Sequence, residues 1–202
     1  MTATKYKKTS SFWITICGVF FAAVSTMSLA AEPAHSPLSA DSLYHLSVPL
    51  TDAQDTHFDL RDLVGHPVLI TMFYGDCITA CPIVLENLQQ TITALKPTSG
   101  KLSVLLVSLD PRHDTPASLA KLAVSHHLDP SIFRLAVSND DSHTRAMAAA
   151  LSIKYRVLSG GEISHNTNIC LVDDTGKMIA SSTQLGALPD QEFLKKIRLA
   201  LK

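Results

Sequence analysis

The sequence has no excess of either charge. Its 17 Lys and Arg stand against 18 Asp and Glu, and the basic residues are scattered rather than gathered in a stripe. Such a chain lacks the electrostatic footprint of a nucleic-acid binder, so no nucleic-acid partner is expected. It has no Ser-His-Asp set, no glycine-rich phosphate loop and no His-Glu-x-x-His pair, which leaves the common hydrolase and nucleotide-binding classes without their residues. Internal repeats and a second domain are also missing. Cysteine is scarce, with four in 202 residues. Cys17 falls in an apolar N-terminal stretch, which leaves Cys77, Cys81 and Cys170. A purely structural disulfide framework would use an even number. One pair with a residue left over points to redox or metal chemistry at the pair.

The N-terminus has the pattern of an export signal. Lys5, Lys7 and Lys8 precede an uncharged apolar run from Phe12 to Ala23, and Ser28-Leu29-Ala30 offers small residues for cleavage after Ala30. The alternative is a retained anchor, because Phe12 to Ala31 is just long enough for a hydrocarbon core of ~30 Å. Lipid attachment at Cys17 is not expected, since bulky Ile16 precedes it. Residues 1–30 are therefore read as signal peptide or membrane anchor. Residues 31–42, with Pro33 and Pro37, read as a flexible tether, and residues 43–202 as one exported domain. A periplasmic location follows, with possible attachment to the inner membrane.

Along the domain, Leu43–Leu50 suggests a short strand, and Phe58–Gly65 a single helical turn. Val68–Tyr74 is an apolar strand broken by Gly75-Asp76. Pro82 then opens a segment of helical periodicity ending near Pro97. Leu102–Leu109 shows no alternation, the mark of a strand buried on both faces. Asp114-Thr115-Pro116 starts a helix running to about His127. Ile132–Val137 is a strand, Asp140–Leu151 an Ala-rich helix, and Ile153–Val157 a short strand. A Gly160-Gly161 loop carrying His165 follows. Asn168–Asp173 and Lys177–Ser181 flank Asp173-Asp174-Thr175-Gly176, a hairpin signal. Pro189–Leu201 closes the chain as an amphipathic helix. This order predicts an α/β domain with a central mixed sheet flanked by helices on both faces. With the cysteine pair at the first strand-to-helix junction, a thioredoxin-like fold fits best.

Cys77 is placed on the loop after that strand and Cys81 at the helix N-terminus, where unpaired N–H groups and the helix dipole favour thiolate. Residues four apart share one side of a helix. The pair can thus form a structural disulfide, act as a redox dithiol, or grip a soft metal ion. His165 is the candidate third ligand, because in this topology its loop lies beside the cysteine junction. Two thiolates and an imidazole suit copper in either oxidation state, or zinc with a fourth ligand; calcium and magnesium are too hard. Cys170, between Ile169 and Leu171, reads as an inert core thiol. His126-His127 reads as a helix-end pair, and Asp76 as a turn cap or a modulator of the thiols.

Three segments resemble one known family. The run Phe73-Tyr74-Gly75-Asp76-Cys77-Ile78-Thr79-Ala80-Cys81-Pro82 looks like the Cys-x-x-x-Cys-Pro motif of the Sco/SenC copper proteins. Val107 to Pro116 resembles their Ser-x-Asp-Pro-x-x-Asp-Thr-Pro segment. Ser164-His165-Asn166-Thr167 through Asp173 resembles their histidine loop and following strand. The likeness spans roughly Phe58 to Ile179. It departs at Ile78-Thr79-Ala80, where Pro-Asp is often found, and in a shorter Tyr155–His165 segment. The resemblance implies copper held by Cys77, Cys81 and His165. It also implies delivery to a copper-accepting protein, such as the cytochrome c oxidase subunit with the dinuclear centre, or reduction of that centre's thiols. A thiol reductant would keep the pair reduced. The leading expectation is a metallochaperone rather than an enzyme. The alternative is a thiol–disulfide oxidoreductase using Cys77 and Cys81 without copper delivery.

Overall fold

The computed structural model describes residues 38–77, 80–96, 100–186 and 188–202, with side chains in the first helix from Pro82 onward. The leader expected over 1–30, residues 31–37 of the expected tether, and Pro97 lie outside the described residues. The strands are β1 (Leu50–Asp52), β2 (His57–Phe58), β3 (Val68–Phe73), β4 (Ser103–Ser108), β5 (Phe133–Ser138), β6 (Tyr155–Val157), β7 (Ile163–His165), β8 (Ile169–Val172) and β9 (Met178–Ser182). The helices are α1 (Ala80–Leu95), α2 (Pro116–Ser125), α3 (Asp141–Ala150) and α4 (Gln191–Ala200).

The centre is a seven-stranded mixed sheet in the order β2-β1-β5-β4-β3-β8-β9. β3 lies parallel to β4, and β4 to β5; β1, β8 and β9 join antiparallel. All six residues of β3 are buried, as expected of an apolar run without alternation covered on both faces. Parallel neighbours need a crossover, which α1 and α2 supply. α1 and α4 touch each other, while α2 and α3 pack on β5. On α4, Phe193, Leu194 and Ile197 face inward, each burial contributing about 1.5–3 kcal/mol.

Local chemistry sets the helix starts. The Thr115 hydroxyl accepts from Ser118 N–H at 3.1 Å, and the Ser118 hydroxyl accepts from Thr115 N–H at 2.9 Å, a reciprocal cap. Asp140 caps α3 and Asp190 caps α4. The Asp173–Gly176 turn closes the β8–β9 hairpin, with Gly176 at φ +87°. A Cβ on Gly176 would overlap Ser42 Oγ and the Tyr44 ring.

Two expectations are corrected. Leu43–Leu50 is not a strand: Leu43–His45 forms a 3-10 turn, capped by the Ser42 hydroxyl accepting from Tyr44 N–H at 3.2 Å, and only Leu50 enters β1. Coiling there buries Leu43 and Tyr44 together. His165, expected on a loop, is the last residue of β7. Leu158 N–H donates to Glu162 C=O at 2.8 Å and Gly161 adopts φ +86°. The Gly160-Gly161 stretch is therefore a tight turn, and β6 and β7 form a separate two-stranded ladder.

Candidate metal centre

The site lies where β3 runs out. Leu109 N–H donates to Phe73 C=O at 2.6 Å, holding that end against the loop after β4. Tyr74 is buried, Gly75-Asp76 turns the chain, and Cys77 N–H donates back to Tyr74 C=O at 3.3 Å. Cys77 is 8% exposed and packs with the core, so this thiol is far less open than a loop position suggested. Residues 78 and 79 lie outside the described set. Cys81 is the second residue of α1, followed by Pro82, which satisfies the expectation of a cysteine in the first turn.

Strand pairing brings the histidine beside Tyr74, three residues before Cys77. β3 and β8 are antiparallel, with Val68 opposite Val172 and Ile70 opposite Cys170. Continued past its last pair, that register sets the residues just before β8 level with Tyr74. Thr71 Oγ1 donates to Asn168 C=O at 2.9 Å along the same line. The His165 ring stands edge-on to Tyr74, centroids 6.0 Å apart at 78°. The short Tyr155–His165 segment sets the histidine against Tyr74.

The ring is held in one tautomer. Nδ1 lies 3.0 Å from the Asn166 carbonyl oxygen. A carbonyl can only accept, so in the neutral ring Nδ1 carries the proton and Nε2 keeps its lone pair. Nε2 is buried and has no hydrogen-bond partner among the described residues. Imidazoles that bind metals are commonly oriented this way, one nitrogen donating to a carbonyl and the other left for the ion. Asn166 also pins the hairpin, its side chain accepting from Lys154 N–H at 2.6 Å and donating to Ser152 C=O at 3.3 Å. A cleft of about 300 Å³ opens beside His165, with Lys154 and Arg156 on its rim.

Among the described residues, no three His, Cys, Asp or Glu side chains form a ready-made metal cluster; the Cys81 side chain is not in that set. Cys170 is fully buried in β8, its Sγ 3.8 Å from Leu151 C=O, and burial pushes its thiol up to about 11. Tyr74 and Asn166 have roles here that the linear sequence did not assign. Both stand within the quoted motifs, but nothing in a linear pattern says which side chains meet.

A sequence model of the SCO1/SenC family matches residues 41–202. The SCO2-like protein of Rickettsia typhi is 23% identical over 153 residues, covering 72% of this chain and 73% of its own. Bradyrhizobium japonicum ScoI, solved with copper bound, superposes at TM-score 0.60 and 23% identity, over 80% of this chain and 99% of that one. BsSco, described with a disulfide switch and as a member of the Sco family of cytochrome c oxidase assembly proteins, superposes at TM-score 0.67 and 18% identity, over 84% and 96%. The structural likenesses establish the thioredoxin-like fold. The family match over the whole described domain is decisive: the chain belongs to the SCO1/SenC family.

Proposed function

We propose that this protein binds one copper ion through the Cys77 and Cys81 thiolates and His165 Nε2. It then passes that ion to an acceptor protein, of which a cytochrome c oxidase subunit is the leading example. One observation carries the reading. His165 presents a buried lone pair without a hydrogen-bond partner among the described residues, on a ring fixed by Asn166 and set against Tyr74, three residues before Cys77. A neutral imidazole beside two thiolates is a donor set for a soft or borderline ion. Copper is cargo in this scheme, released by exchange onto the acceptor's ligands. The domain acts on the periplasmic side, carried there by residues 1–30, which are either removed or kept as an inner-membrane anchor.

A second reading draws on Cys81 in the first turn of α1, where free N–H groups stabilise thiolate. There one thiolate attacks a client disulfide to form a mixed disulfide. The other cysteine displaces the client thiol, leaving Cys77–Cys81 oxidised and the client reduced by two electrons. A separate thiol reductant must restore the pair.

His165→Ala separates the readings. Copper titration of the reduced wild-type protein should give one ion per chain, with intense sulfur-to-copper absorption in the Cu(II) form. The variant should lose roughly 100-fold in affinity, since deleting a mere outer-shell partner already costs about 10–100-fold. Its reduction of a model disulfide should be unchanged. A variant with unaltered copper affinity removes His165 from the site and leaves the dithiol reading.

A further inference from the structure

Asp114 is a buried carboxylate, 9% exposed, on the loop between β4 and α2. No cation faces it among the described residues: its partners are the Ser108 hydroxyl and the Gly75 N–H, and the charges acting on it, Asp110 and Asp76, are also negative. Burial foremost, with those two carboxylates, pushes its pKa up against the lowering effect of the two hydrogen bonds. A buried charge without a counterion costs stability, and a neutral isostere would pack as well.

The bonding pattern shows what the side chain reaches. Both donors converge on one oxygen: Gly75 N–H at 3.0 Å from Oδ2, and Ser108 Oγ in a short hydrogen bond to the same atom. Ser108 Oγ in turn accepts from Asp110 N–H at 2.9 Å. The other oxygen, Oδ1, fills the space over the Gly75 Cα, so that any Cβ there would overlap it. Gly75 is not among the positive-φ residues. Glycine is required here for room, because the carboxylate occupies the place of a side chain. The turn that carries Cys77 is thus clamped from both sides: Cys77 N–H bonds Tyr74 C=O, and Gly75 is locked to Asp114.

We propose that Asp114, with Ser108 behind it, is a positioning residue that clamps the Gly75-Asp76-Cys77 turn and so holds the Cys77 thiol in register with His165. The clamp rests on the copper reading only for what the thiol does once placed; the placement itself can be read on the thiol.

The test uses the reduced protein and two substitutions. Asp114→Asn keeps an oxygen to accept from Gly75 and Ser108, while Asp114→Ala removes it. Alkylation is followed at each cysteine by mass mapping. Cys170, fully buried in β8, reports global opening, and Cys77 reports the turn. Asp114→Ala should raise the Cys77 rate about tenfold relative to Cys170, the consequence of unpairing two buried donors. Asp114→Asn should stay within about twofold of wild type on the same reasoning, since the bonds survive. Gly75→Ala should mimic Asp114→Ala in the wild-type background and add little to it in the Asp114→Ala background, where the overlap is gone. Copper affinity should follow the same order. Equal rises at Cys77 and Cys170, or no rise at either, overturn the clamp. If the cysteine contrast appears but wild type binds no copper, the clamp stands and the copper reading falls.

Discussion

Asn166→Ala tests whether the histidine is presented by a built support or merely by its place in the chain. The substitution removes the acceptor of Lys154 N–H at 2.6 Å and the donor to Ser152 C=O at 3.3 Å. It keeps the Asn166 backbone carbonyl that orients His165 Nδ1. Two such bonds contribute about 0.5–1.5 kcal/mol each, and solvent competition at this exposed position brings the pair to about 1.4 kcal/mol. The hairpin has little surplus to absorb that loss. β6 and β7 share only three pairs, Tyr155–His165, Arg156–Ser164 and Val157–Ile163, and a two-stranded hairpin is marginal in isolation. Ile163 is its buried anchor, while Val157 is 66% exposed. A loss of 1.4 kcal/mol corresponds to about a tenfold rise in the open population. Affinity falls with the competent fraction, and because the wild-type hairpin is mostly closed, copper should bind no more than about twofold more weakly. Hydrogen exchange should quicken about tenfold across residues 155–165, with the amides of β3 and β4 unchanged. Unaltered exchange in the hairpin would refute the reasoning. So would equal acceleration in the central strands, since the effect would then be global.

Two further outcomes test the scaffold. Gly176→Ala should lower the unfolding free energy in urea by about 1–3 kcal/mol with an unchanged m-value, from left-handed backbone strain and overlap with Ser42 and Tyr44; a shift of under a few tenths would mean the turn relaxes freely. Burial raises the Cys170 thiol from 9.0 to about 11, so the unfolded chain releases this proton first. The stabilisation is complete below pH 9 and is lost as pH climbs through about 11. Cys170→Ala should flatten that alkaline loss in denaturation midpoints measured from pH 8 to 11, and an identical slope in both proteins would contradict the assignment.

Several elements were legible because their signals are local. Val68–Phe73 and Ser103–Ser108 are largely apolar without alternation, a pattern that a doubly covered strand buries. Thr115-Pro116 and Asp173–Gly176 specify a helix start and a hairpin turn through side chains within a few residues of the backbone they serve. Leu43–Leu50 misled because alternating apolar residues fit a strand equally well, and the competing Ser42 cap acts through one hydrogen bond. His165 was placed correctly in the chain but not in structure, since a Gly-Gly pair reads the same in a loop or a hairpin turn.

The amino-acid sequence by itself determined the α/β class and the strand–helix junction carrying Cys77 and Cys81. These depend on residue type, spacing and short-range periodicity. Tertiary structure alone decided that Asp114 fills the space over Gly75, that Tyr74 meets the His165 ring, and that Cys77 is buried. Gly75 and Asp114 are 39 residues apart, and Tyr74 and His165 are joined only through the antiparallel register of β3 with β8. Such contacts arise when separate strands share one sheet edge to edge, and no window along the chain contains both partners.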